Sequence, residues 1–151
     1  MKVLVIVGLV LAATLQANAI AHQELPKIFK ETIQQSFACV MKLGPEAANV
    51  PLVQDLDLAQ LPEENPVLNT LWGCIWDKKG IIDKQGEGYS ENLRSYLSDM
   101  LPLISDLGID VEGIAGEVAE SCKDVESNDY KIKSIKMQNC VNENLAKVGR
   151  D

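Results

Sequence analysis

Four cysteines, Cys39, Cys74, Cys122 and Cys140, constrain this 151-residue chain more than any other feature. What they do depends on the compartment, and the N-terminus speaks to that. Lys2 supplies a basic start, Val3 to Leu15 form an apolar run, and Ala17-Asn18-Ala19 has the small-residue pattern of a cleavage site. Ala19-Ile20-Ala21 offers a second site two residues on. The run is too short to span a bilayer, which takes about 20 residues. We therefore read 1–19 as a signal peptide and 20–151 as one secreted, extracellular domain. In an oxidising compartment an even number of cysteines implies two bridges, and three connectivities are open on the count alone.

Metal or redox use of these thiols is disfavoured. No C-x-x-C occurs, and His22 is the only histidine. The formal charge of −8 argues against nucleic acid and against anionic membrane surfaces as partners. No segment after the leader is long and apolar enough to suggest stable membrane association.

Apolar spacing is helical nearly throughout. Phe29, Ile33, Phe37 and Val40 step by three or four, as do Met137, Val141, Leu145 and Val148. Val111, Ile114, Ala115, Val118, Ala119 and Cys122 follow the pattern of one buried helical face. Breakers divide the chain. Pro26 falls in the first turn of a helix that Gly44-Pro45 closes, and Pro51 opens a short second helix ending near Leu61-Pro62. Asn65-Pro66 reads as an N-cap with proline at the first helical position, leading into 67–78, and Gly80 ends that helix. Ser90 caps a fourth helix that ends or kinks by Pro102. Asp110 caps a fifth, and Ser127 to Asp129 precede a sixth. The expectation is an all-α fold of about six helices in one domain.

The cysteine spacing is more specific than the helix pattern. Between Cys39 and Cys74 lie 34 residues, and between Cys122 and Cys140 lie 17. Both intervals resemble those of the insect odorant-binding proteins (the PBP/GOBP family), whose six cysteines are distributed along six helices. Aligning Cys39 as first, Cys74 as third, Cys122 as fourth and Cys140 as sixth puts the absent second cysteine at Thr70 and the absent fifth at Lys131. Those two are bridge partners in the family, so their joint loss strands no thiol and is similar to the four-cysteine Minus-C type. The stretch from Cys74-Ile75-Trp76-Asp77-Lys78-Lys79-Gly80 to Gly86 is similar to the family's segment after its third cysteine.

This resemblance implies bridges Cys39–Cys74 and Cys122–Cys140. It also implies helices converging on an apolar cavity that takes a small hydrophobic ligand. On that basis Phe37, Leu71, Ile75, Trp76, Tyr89, Leu93, Leu97, Ile114, Val118, Ile132 and Ile135 are expected near the ligand. Tyr89 or Tyr96 would be the hydrogen-bonding handle, and Trp72 or Trp76 a wall of the cavity. Periodicity alone assigns the same positions to plain packing. The absence of a bridge between Thr70 and Lys131 leads us to expect a looser, more adaptable cavity than in six-cysteine members.

Catalysis finds no support. The chain has no G-x-S-x-G, H-E-x-x-H, phosphate loop or dinucleotide fingerprint. Gly86-Glu87-Gly88 suits a turn, Glu63-Glu64 suits solvated surface, and Asp83 with Glu87 lacks calcium-loop spacing. No cofactor is expected. With His22 as its one histidine, the protein is expected to hold its ligand with little change between pH 7 and 5.5. The leading expectation is a secreted carrier of odorant, pheromone or fatty-acid-like molecules. The alternative is a secreted interaction module of the same fold with its cavity collapsed. The sequence does not specify a receptor or a homodimer.

Overall fold

The computed structural model describes residues 26–57, 59–104 and 110–148. The signal peptide and His22 lie outside the described residues. Within them the chain forms five α-helices: α1 (Lys27–Leu43), α2 (Pro66–Lys78), α3 (Ser90–Ile104), α4 (Val111–Cys122) and α5 (Tyr130–Val148). Two 3-10 segments, Gly44–Asn49 and Val53–Asp55, connect α1 to α2. The fold is all-α and carries both expected disulfides, Cys39–Cys74 between α1 and α2 and Cys122–Cys140 between α4 and α5.

Local chemistry explains most helix ends. Asn65 accepts the Leu68 N–H at 3.0 Å, with Pro66 opening α2 where its missing N–H costs nothing. Asp110 accepts the Gly113 N–H at 3.0 Å, and Gly113 makes room for this cap: a Cβ there would sit within 2.8 Å of the carboxyl carbon. Pro26 lies one position before α1 and not in its first turn, where its carbonyl accepts from Phe29 and Lys30. Pro102 does not stop α3, which runs two residues further to Ile104.

The expected second helix is absent. In its place the segment after Pro51 makes only a short 3-10 turn, and Leu52 is exposed. So brief a segment gains too few bonds to offset helix nucleation. Its end is secured from elsewhere. Asn139 on α5 accepts the Leu61 N–H at 2.8 Å and donates to the Leu61 carbonyl at 2.9 Å. Leu61 is thereby fixed in the core.

The buried side of α1 also differs from the expected stripe. Thr32, Ile33, Ser36, Cys39 and Leu43 face inward, while Phe37 is 48 % exposed. Small side chains and the bridge at Cys39 let α1 lie close against α2, and this rotates Phe37 outward. α2 is apolar almost all round and is the central helix, packed against both α1 and α5. At Gly73 a Cβ would lie 3.0 Å from Lys131 Cγ and 3.3 Å from its Cα, so glycine sets the close approach of α2 to α5. α3 packs on α4 and α1, and α4 packs on α5.

Candidate ligand-binding core

One apolar cluster fills the space between the helices. Of the residues expected near a ligand, Leu71, Ile75, Trp76, Leu93, Leu97, Val118 and Ile135 are buried together in it. Ile114 packs against its edge. Ile132 is half-buried on α5, whereas Phe37 and Tyr89 are exposed and stand apart from the cluster.

Both tryptophans are buried, their ring centroids 5.9 Å apart. Trp76 donates its indole N–H to the Ser134 carbonyl at 3.0 Å and meets Tyr96 edge-on at 5.8 Å. Trp72 differs: its Nε1 is buried with no hydrogen-bond partner, and so is the Ser36 hydroxyl on α1. An unpaired buried donor costs about 1–3 kcal/mol. Among the described residues these two groups and Asn69 Oδ1 are buried side-chain polar atoms without a hydrogen-bond partner.

The tyrosines weighed as handles are already engaged. Tyr89 donates to Asp83 Oδ2 at 2.9 Å on the surface. That hydrogen bond, and the carboxylate charge behind it, raise the Tyr89 pKa. The Glu87 backbone N–H is the main cause of a lowered Asp83 pKa, with Tyr89 adding to it. Tyr96 meets the edge of Trp76 and lies under the Lys79 amine, and burial pushes its pKa up to about 12.

The loop between α2 and α3 closes one side of the core. Gly80 at φ +70° turns the chain out of α2, in a region that disfavours side chains. Ile81 and Ile82 then point into the core, and Ile82 forms a bridge with Gly88. Lys133 on α5, itself buried, donates to the Gly86 carbonyl at 2.7 Å and pins the loop. Under this loop lies a cavity of about 40 Å³ lined by Ile81, Gly88, Tyr89, Ser90, Leu93, Lys123 and Met137. That is space for about one water molecule.

Sequence reasoning placed Tyr89 and Leu93 near a ligand but omitted Ile81 and Met137. Met137 stands in the apolar stripe of the last helix, which was the available signal. Ile81 had only the similarity of its stretch to the family pattern. The buried polar residues of α5, including Lys133, Ser134, Gln138 and Asn139, left no periodic signal.

Among the described residues no helix is long and apolar enough to cross a membrane. Among them, too, no group of three or more His, Cys, Asp or Glu is arranged to hold a metal ion. The sequence model of the PBP/GOBP family matches residues 21–144. Neither a curated protein nor a solved structure matches the chain.

Proposed function

Because the chain belongs to the PBP/GOBP family, we propose that it is a secreted, non-enzymatic carrier that encloses a small hydrophobic molecule in its helical core. The ligand inserts among Leu71, Ile75, Trp76, Leu93, Leu97, Val118 and Ile135, which pack against one another here, with Ile114 and Ile132 at the rim. Each methylene buried there contributes about 0.8 kcal/mol. The cavity of about 40 Å³ beneath the 80–89 loop is too small for such a ligand, so admission requires that loop and the side chains beneath it to move apart.

The observation that carries this reading is the Trp72 indole. It is a buried donor with no partner beside an apolar cluster. Indole N–H donates only, so it selects ligands bearing an acceptor, such as an alcohol, ester or carbonyl oxygen. Most of the surface of such a ligand would be apolar, with one polar group fixing its orientation.

A second reading rests on a different observation. Phe37 and Met41 lie one turn apart on α1 at 48 % and 65 % exposure, with Leu52 at 55 %. Exposed apolar side chains of this size suit a protein partner, and the filled core would then remain closed.

Native mass spectrometry of the secreted protein, paired with displacement of a fluorescent apolar probe, separates the two. Carriage is expected to give a bound small molecule and displacement by long-chain alcohols. The Trp72→Phe variant should weaken alcohols about tenfold, equivalent to roughly 1.4 kcal/mol, and leave hydrocarbons unchanged. An empty protein that ignores the probe would turn the assignment to the second reading.

A further inference from the structure

Lys79, at the C-terminal end of α2, is the one partly buried amine held over an aromatic face among the described residues with side-chain oxygens as its partners. Its Nζ donates to Thr32 Oγ1 at 2.8 Å and to Gln35 Oε1 at 2.9 Å, both on α1. It also stands 4.3 Å from the centroid of the Tyr96 ring on α3. None of the ion pairs among the described residues includes it. A groove of about 220 Å³ opens beside it, lined by Ile28, Glu31 and Gln35 from α1, Lys78 from α2, and Asn92 and Asp99 from α3, with Tyr96 as its floor. The amine is therefore immobilised and reachable at once.

We propose that Lys79 is a covalent capture site for small aldehydes, its Nζ forming an imine with a carbonyl compound that enters the groove between α1 and α3. The neutral amine has two N–H bonds, matched to Thr32 Oγ1 and Gln35 Oε1, and one lone pair left for the carbonyl carbon. That lone pair forms the C–N bond while the carbonyl π pair moves to oxygen. One proton passes from nitrogen to that oxygen, giving a carbinolamine. The second nitrogen proton then leaves with the hydroxyl group as water, and the C=N bond forms. No oxidant or reductant is needed.

The surroundings favour the reactive form. Burial lowers the Lys79 pKa from 10.5 to about 8, against the opposing charge of Glu31. At pH 8 about half of such an amine is neutral, against under about 1 % of an exposed lysine. Lower basicity also reduces intrinsic nucleophilicity, so the net advantage over exposed lysines is about tenfold. This site does not use the core, and so the proposal goes beyond carriage and does not depend on it.

The test treats the secreted full-length protein with hexanal and cyanoborohydride at pH 7.5, and maps adducts residue by residue over time. Lys79 is expected to label about tenfold faster than exposed Lys27 or Lys84. That preference should vanish in urea, where the groove is gone, and Lys79→Arg should remove the fast phase alone. Equal rates at all lysines in the folded protein would overturn the proposal, as would a fast phase that survives Lys79→Arg. A long-chain alcohol, which forms no imine, displaces the core probe in the same sample if carriage holds. The two ideas therefore fail separately.

Discussion

Trp76 on α2 donates its indole N–H to the Ser134 carbonyl on α5 at 3.0 Å, and no disulfide joins these two helices. One turn earlier on α2, Gly73 lies against Lys131, the position where the family resemblance expects a cysteine. A buried hydrogen bond and a backbone close approach thus connect α2 to α5 without covalent chemistry. Trp76→Phe removes that bond and part of a fully buried ring. It should cost about 2–3 kcal/mol, read as a lower urea midpoint with an unchanged slope.

Asn139 substitutes for secondary structure. Its side chain satisfies both backbone groups of Leu61 from 78 residues away. Asn139→Ala leaves a buried N–H and a buried carbonyl unpaired, at about 1–3 kcal/mol for each group. The expected loss is about 2–6 kcal/mol, together with faster amide exchange at Leu61. Slow exchange there in the variant would mean that the loop holds its place by packing alone.

The two disulfides should differ in their contribution to stability. Cys39–Cys74 closes a separation of 35 residues and Cys122–Cys140 one of 18. Loop-closure entropy then gives about 4 kcal/mol for the first and about 3 kcal/mol for the second. Paired Cys→Ala variants compared by chemical denaturation should preserve this order.

Lys79 makes stability rise with pH in an alkaline window. Its folded pKa is about 8 against the 10.5 of an ordinary lysine, so between these values the unfolded chain holds more protons. The cost of burying the charged amine is complete below about pH 8 and is relieved as pH rises toward 10.5. Tyr96, raised to about 12 from 10.0, works in the opposite sense above pH 10. Between pH 8 and 10, wild type should therefore gain about 2 kcal/mol relative to Lys79→Met. A constant difference between the two across that window would show that Lys79 titrates normally.

The sequence by itself determined the helical class, and it located the ends of α2 and the start of α4. Asn65-Pro66, Gly80 and Asp110 act on backbone groups within a few residues, so their effect is readable without neighbours. The cysteine intervals, through the family they resemble, also led to the bridges that the structure contains. Periodicity gave spacing without phase on α1, where Thr32 and Ser36 face inward and Phe37 faces out. That rotation depends on how closely α2 approaches, which no local pattern encodes. The segment after Pro51 carried helix-like spacing, but a side chain from α5 holds its end.

Only the tertiary structure decided which polar groups are satisfied. Trp76 finds a carbonyl on α5, the Lys79 amine finds Thr32 and Gln35 on α1, and Trp72 finds nothing. The two tryptophans are chemically identical and four residues apart on one helix. Their difference arises from what distant segments bring within hydrogen-bonding reach, and that is settled only when the helices pack.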